Sequence, residues 1–256
     1  MTPGFLGTGS IASAMVRGLC TAAEPPARIL VSPRSADKAA ALARDFPAVV
    51  EVAADNQAVV DGADCVVLSV LPPQLPEVAG ALRFRAGQPV LSCVALVPLA
   101  EVVTLVAPAG PVVRAVPLPS SARQLGPIAY FPEEDFAAAL LRRIGTPVAT
   151  GGEAEFHALW TLTALIAPYF EVLEHARHWA AGRGVADAAA KAYSASMAQA
   201  LAVLAVEHEG TDFSALIAEA MTPGGLNEQT RRELGEAGAF AAFPDALERI
   251  YRRLDG

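Results

Sequence analysis

Gly7-Thr8-Gly9-Ser10-Ile11-Ala12 is a G-x-G-x-x-A run that follows a short apolar stretch and opens a helix-forming one. In such a run the first glycine permits a tight turn and the second lets the backbone approach a pyrophosphate. The small third residue, here Ala12, permits close packing of helix on strand. The helix start adds N–H groups that lack intrahelical partners and suit a phosphate. Gly7, Thr8, Gly9, Ser10 and Ile11 are therefore candidate dinucleotide ligands; the competing reading is a glycine-rich turn without a ligand. The next β-rich run ends in Ser32-Pro33-Arg34-Ser35. A site for NAD places an acid there to bind the ribose 2′-OH. Ser32, Arg34 and Ser35 suit a 2′-phosphate instead, which favours NADP(H); alternatively, Arg34 is a solvated turn residue. Val70-Leu71-Pro72 and Cys93-Val94-Ala95 close two further strands. Ligands of doubly wound sheets bind outside the carboxyl ends of strands. Val70, Leu71, Pro72, Cys93 and Ala95 are thus expected near the nicotinamide ribose, or else they are ordinary loop punctuation.

A second constellation lies far along the chain, at Met221-Thr222-Pro223-Gly224-Gly225-Leu226-Asn227-Glu228. Gly224 and Gly225 can turn backbone N–H groups toward an anion where a helix begins. Thr222 and Asn227 add hydrogen-bonding side chains beside them. A small-molecule carboxylate would fit. The same glycines could equally serve a helix cap and nothing else.

These residues need elements to hold them. Gly4–Leu6, Arg28–Val31, Val49–Val52, Asp64–Val70, Pro89–Cys93 and Pro111–Ala115 read as strands, and Pro3 can only stand at the very start of the first. Ser10–Ala23, Ser35–Phe46, Gln57–Asp61 and the stretch Pro73–Leu82 read as helices between them. The alternation predicts an α/β fold with a doubly wound parallel sheet, a Rossmann domain over residues 1–152. After Gly151-Gly152 the β-branched runs stop. Glu153–Gly182, Ala186–Gly210, Asp212–Met221, Leu226–Glu236 and Pro244–Leu254 read as helices, which makes 153–256 an all-α domain.

Composition narrows the class. The 256 residues are 53% hydrophobic and 18% charged, against about 25% charged in an ordinary soluble domain. Disorder is excluded. The longest stretch without a charge, Met1–Val16, is broken by Pro3, Gly4, Gly7 and Gly9, so no spanning helix and no membrane partner is expected. No positively charged segment precedes an apolar one at the N-terminus, so no secretory signal is expected. The net charge of -8 and the absence of a basic patch make nucleic acid an unfitting partner. Three widely spaced cysteines, Cys20, Cys65 and Cys93, read as reduced thiols of a cytoplasmic protein.

With both ends in view, the chain resembles pyrroline-5-carboxylate reductase along nearly its whole length. Phe5–Ala12 is similar to that family's cofactor loop. Val70-Leu71-Pro72-Pro73-Gln74 resembles its A-V-K-P-Q segment, with Pro72 in place of the lysine. Arg114-Ala115-Val116-Pro117-Leu118 resembles R-x-M-P-N, with Leu118 in place of the asparagine. Ala167-Pro168-Tyr169-Phe170, with Glu174 and His175, partly matches a P-A-Y-x-F…E-A helix. Thr222-Pro223-Gly224-Gly225 matches its S-P-G-G loop. The resemblance implies reduction of the C=N bond of a small cyclic imino acid by NADP(H), with the substrate carboxylate at Gly224 and Gly225. Thr222 and Asn227 become the candidate catalytic side chains beside it. It also implies a homodimer, or a higher homo-oligomer, interlocked through the helical domain. Leu226-Asn227 departs from the family's Thr-Thr or Ala-Thr, which leaves open a paralogue acting on another imine or ketone, or a silent NADP(H)-binding sensor.

Two other classes fit worse. The 3-hydroxyacid dehydrogenases share the N-terminal architecture but use a lysine in the first long helix after it, and Glu153–Gly182 contains none. His175 and His178 beside Glu171 and Glu174 could share a helix face. With too few ligands for a closed site, no metal is expected. The apolar surplus, concentrated in Phe156–Phe170 and Met197–Val206, is expected to be buried against a second copy.

Overall fold

The computed structural model describes residues 1–210 and 212–255. Its first part runs β1 (Pro3–Leu6), α1 (Ser10–Thr21), β2 (Ile29–Val31), α2 (Ala36–Asp45), β3 (Val50–Val52), α3 (Asn56–Gly62) and β4 (Cys65–Leu68). It continues through α4 (Leu75–Gly80), β5 (Val90–Ser92), α5 (Leu99–Val106), β6 (Val112–Val116), β7 (Pro127–Phe131), α6 (Asp135–Arg142) and β8 (Thr146–Ala149). The strands form one sheet in the order β3-β2-β1-β4-β5-β6-β7-β8. All neighbours are parallel except β6 and β7. The expected doubly wound fold is therefore present. β1, β2, β4 and β5 are buried at every residue, which is why they read as unbroken apolar runs rather than alternating ones. Successive strand residues enter two separate cores: Phe5, Val31, Val67, Leu91 and Val113 in one, Leu6, Leu30, Val66, Leu68 and Val90 in the other. Because side chains alternate along a strand, these cores lie on the two faces of the sheet. Pro3 is the first residue of β1, the one place it can stand.

The structure adds β7, β8, α5 and α6 to the expected elements. β7 is bracketed by Gly126 and Pro132, and β8 carries Pro147, so both lack the usual strand signature. A proline is tolerable in β8 because that strand is the sheet edge. The expected helix at Pro73–Leu82 is a 3-10 turn, Pro72–Gln74, followed by α4.

Two contacts fix the framework. α1 lies against the 3-10 turn Pro119–Arg123, close enough that a Cβ at Gly18 would sit 2.0 Å from the carbonyl oxygen of Ser121. Gln124 seals this contact by donating Nε2 to the Gly18 carbonyl at 2.9 Å. The second contact is Arg114 on β6, a fully buried arginine. Its Nη1 donates to Glu153 Oε1 at 2.6 Å and to His157 Nε2 at 3.2 Å. A guanidinium can only donate, so His157 Nε2 accepts and the ring proton sits on Nδ1. Glu153 Oε1 also accepts the backbone N–H of Leu99, at 2.9 Å. Burial pushes the Glu153 carboxyl up, but the Leu99 N–H and Arg114 outweigh it and hold it below its ordinary value of 4.5.

The remaining elements are α7 (Glu153–Thr161), a 3-10 turn at Leu162–Leu165, α8 (Ile166–Ala181), α9 (Asp187–Glu207), α10 (Ser214–Glu219), α11 (Leu226–Glu236) and α12 (Ala242–Asp255). The expected single helix Glu153–Gly182 is thus broken once. Pro168 is the third residue of α8, where its missing N–H needs no intrahelical acceptor; in an unbroken helix it would remove an interior bond. The chain divides into two compact units after Trp160, past the expected division at 152, because Glu153 fastens α7 to the sheet. In the second unit α8 packs on α9. Tyr193, Leu201 and Val206 of α9 are nonetheless 75%, 58% and 86% exposed. Glu153–Ala181 and Asp187–Glu207 are long and apolar enough to cross a membrane by length and composition, although the first includes the 3-10 break.

Gly18→Ala is expected to lower stability by about 2–3 kcal/mol, since the backbone of Ser121 must move; urea unfolding checks it. Arg114→Ala is expected to cost about 3 kcal/mol, because Glu153 loses its partner. The wild-type contribution of Glu153 is complete above pH 4.5 and is lost as pH falls through the lowered folded value. Thermal unfolding from pH 7 to 3 should show that loss in the wild type.

Candidate functional site

The turn from β1 into α1 is shaped by close backbone approach. Gly7 has φ +89, and a Cβ there would lie 2.5 Å from the Ser69 carbonyl oxygen at the end of β4. A Cβ at Gly9 would meet nothing nearer than that oxygen at 3.8 Å, so the space stays with the cleft in front of it. Gly9 is also the N-cap of α1, and no side chain caps the helix. The first N–H groups of α1 are thereby left for a ligand.

The cleft has a volume of about 560 Å³ and is lined by Gly7, Thr8, Gly9, Ser10, Ile11, Arg34, Ser35, Lys38, Ser69, Val70, Leu71, Pro72, Gln74, Cys93 and Ala95. All the residues named for the cofactor from sequence lie on it except Ser32. That serine is fully buried beneath the loop: its Oγ accepts the Gly7 N–H at 2.9 Å, and its carbonyl accepts from Thr8 Oγ1 at 2.9 Å. Ser32 therefore shapes the glycine turn from below rather than facing the cleft. Ser69 and Gln74 bracket the expected Val70–Pro72 segment in the same loop and line the cleft with it, and Lys38 joins them. Lys38 carried a readable signal, since it lies one helical turn beyond Arg34 and is one of only two lysines in the chain. Its Nζ donates to Ser10 Oγ at 3.5 Å, across the mouth of the glycine loop. No carboxylate lines this cleft. A second hollow of about 600 Å³ shares Arg34 with it and is bounded by Pro33, Asn56, Gln57, Val78 and Leu82, with the carboxylates of Asp55 and Glu77 also on its walls.

At the other end the cleft meets a smaller pocket of about 180 Å³, which shares Ile11, Cys93 and Ala95 with it. Val94, Val116, Pro117, Phe156 and Trp160 give it mostly apolar walls, and Arg114 lies among them. The guanidinium carbon of Arg114 is 4.9 Å from the centre of the Phe156 ring and 6.0 Å from that of Trp160. Burial pushes the Cys93 thiol up to about 12. Leu96, just beyond Ala95, holds φ +61, a strained conformation for leucine. The pocket escaped the sequence reading because Arg114 is far along the chain from Phe156 and Trp160.

The Thr222–Glu228 loop belongs to the second unit and is closed on itself. The Gly224 N–H donates to Glu228 Oε2 at 2.6 Å, and the Gly225 N–H to the Thr222 carbonyl at 2.8 Å. Asn227 Nδ2 donates to the Ala220 carbonyl at 2.8 Å. A carboxylate does sit on the Gly224 N–H, but it is the protein's own; a substrate carboxylate bound there has to displace it. His175 pairs with Glu171, and His178 with Glu174. Among the described residues no group of three or more His, Cys, Asp or Glu side chains could hold a metal ion.

Comparison with known proteins agrees with this architecture. The family described as "NADP oxidoreductase coenzyme F420-dependent" matches residues 2–96. The pyrroline-5-carboxylate reductase of Pseudomonas aeruginosa is 26% identical over 97% of this chain and 94% of its own. The solved pyrroline-5-carboxylate reductase of Coxiella burnetii superposes with a TM-score of 0.88 at 25% identity, covering 99% of this chain and 97% of that one. The fold is shared by the Plasmodium falciparum pyrroline carboxylate reductase, solved with NADP bound, at a TM-score of 0.81 and 13% identity over 99% and 97% of the two chains. By sequence along nearly its whole length and by fold, the chain is related to the pyrroline-5-carboxylate reductase family of oxidoreductases, as its motifs suggest.

Proposed function

We propose that the protein is an NADP(H)-dependent reductase of a small cyclic imino acid, with pyrroline-5-carboxylate reduced to proline as the leading reaction. The observation that carries this reading is the cleft: a side-chain-free helix start beside Arg34, Ser35 and Lys38, with no carboxylate on its walls. Two cations and a hydroxyl near the carboxyl end of β2 suit a ribose 2′-phosphate, and an uncapped α1 suits the pyrophosphate. The hollow beyond Arg34, between Pro33 and Leu82, suits the adenine. When bound there, the cofactor supplies a hydride to the imine carbon. A protonated imine is already electrophilic, so the residues around it serve chiefly to hold and orient it. The Thr222–Asn227 loop is proposed to take the substrate carboxylate, with Gly224 and Gly225 as donors once Glu228 is displaced. The self-occupied Gly224 N–H favours, as a second reading, a relative acting on another imine or ketone.

The same reading makes the active species a homodimer in the cytoplasm. The exposed apolar residues of α8 and α9, Phe170, Val172, Tyr193 and Leu201 among them, support a second copy as their cover. A homodimer also accounts for long apolar helices that carry charges such as Glu171, Glu174, Arg177 and Lys191.

NADPH consumption with pyrroline-5-carboxylate is the direct test; tight NADPH binding without turnover of any imine or ketone would point to a sensor. Arg34→Ala is expected to weaken NADPH by about ten- to a hundredfold, the range for a charge-assisted hydrogen bond, and NADH by less than about threefold. Equal losses would remove the 2′-phosphate role. Analytical ultracentrifugation at micromolar concentration is expected to show a dimer or larger, and Leu201→Glu to shift it toward monomer.

A further inference from the structure

We propose that Trp160 sets the size of the imine ring this protein accepts, by walling the small pocket at the end of the cofactor cleft. The proposal rests on the imine-reductase reading above and adds a specificity-determining residue to it. The pocket belongs to the dinucleotide unit alone. It shares Ile11, Cys93 and Ala95 with the cleft, so whatever fills it touches what fills the cleft. It opens at the carboxyl end of β5, the side of the sheet where a nicotinamide bound in such a fold lies.

Its chemistry is selective. Val94, Val116, Pro117, Phe156 and Trp160 offer no charge. The one charge on the wall, Arg114, is held by Glu153 and covered by the rings of Phe156 and Trp160. The pocket therefore favours the hydrocarbon part of a substrate; Arg114 Nη1 is taken by Glu153 and His157, and its Nε, which has no partner, is buried. Its size is equally restrictive. An apolar cavity of about 150 Å³ holds one benzene ring. At about 180 Å³ this pocket has room for one five- or six-membered ring, and a fused second ring has to reach past its walls toward the cleft. Phe156 is buried and Arg114 is locked by its ion pair, which leaves the half-buried Trp160 as the large side chain whose truncation enlarges the space.

The test compares three imines that carry the same carboxylate beside the imine nitrogen: 1-pyrroline-5-carboxylate, 1-piperideine-6-carboxylate and the bicyclic 3,4-dihydroisoquinoline-3-carboxylate. kcat/KM is measured with NADPH for wild type, Trp160→Ala and Trp160→Phe. Wild type is expected to reduce the single rings and to discriminate against the bicyclic one. Trp160→Ala should raise the bicyclic-to-pyrroline ratio of kcat/KM at least tenfold. Trp160→Phe, which keeps a ring over Arg114 and guards against loss of folding, should raise it less. A ratio within twofold of wild type in both variants, with pyrroline-5-carboxylate still reduced, overturns the role of Trp160 and leaves the reductase reading intact. A wild type that reduces none of the three overturns both. A second readout needs no turnover. In a Trp179→Phe background Trp160 is the sole tryptophan. With NADP⁺ present, cyclopentanecarboxylate, which cannot be reduced, is expected to shift its fluorescence saturably. Saturable binding of this analogue, followed by calorimetry, without a spectral change also overturns the proposal.

Discussion

The buried charge of Arg114 constrains the arrangement of the site more than any other single interaction. A guanidinium with almost no contact with water is tolerable only when paired and hydrogen-bonded. Glu153 meets that demand from the first residue of α7, and the same oxygen takes the N–H that opens α5. One carboxylate thus ties the starts of α5 and α7 to β6. Phe156 and Trp160 follow at helical spacing on α7 and lie over the guanidinium. The ion pair therefore does more than hold α7. It decides which side chains of α7 face the carboxyl ends of β5 and β6, and so gives the small pocket its walls.

The larger cleft depends on the opposite device, the absence of side chains. The strand order reverses around β1 and β4, which is where a doubly wound sheet leaves a crevice. Gly7 lets the two carboxyl ends approach, and Ser32 fixes the turn from underneath by accepting the Gly7 N–H. The positive side chains stand to one side, at the start of α2, while the apolar ones stand toward β5. A molecule with phosphates at one end and a flat neutral ring at the other is matched by this gradient along a single groove. The polarity follows from where the chain places Arg34 and Lys38, the latter one of only two lysines.

Much of this was legible in the sequence, and the failures share a physical cause. β1, β2, β4 and β5 could be read because strands buried on both faces need unbroken apolar runs. The glycine loop could be read because its backbone requirements fall within six residues. β7 and β8 could not, because an edge position excuses the prolines that argue against a strand. Ser32 was assigned to the ligand by type and place, yet a buried hydroxyl serves the backbone as readily as a phosphate. Arg114, Phe156 and Trp160 were visible singly, but their meeting depends on an ion pair between residues 39 positions apart, which no local pattern encodes. The Thr222–Glu228 loop allowed two readings. Glu228 shows why: the carboxylate that completes a helix cap and the one that would mark a substrate use the same N–H.

The apolar composition also separates into two physical situations. In the sheet unit most large hydrophobic residues form two cores, and those left exposed, such as Leu71, Leu96 and Leu125, stand singly in loops. α9 is different, because apolar residues occur all round it while α8 covers one side. Ala190 and Ser194 are buried, but Tyr193, Met197, Leu201 and Leu204 stay exposed. A helix of that kind needs neighbours on more than one face. The chain-wide hydrophobic fraction conceals this asymmetry, since it averages a unit that satisfies its own surface with one that does not. The exposed apolar residues are concentrated in the helical unit, on α8 and α9 and again at Phe213, Leu226 and Phe240, rather than spread evenly over the whole molecule.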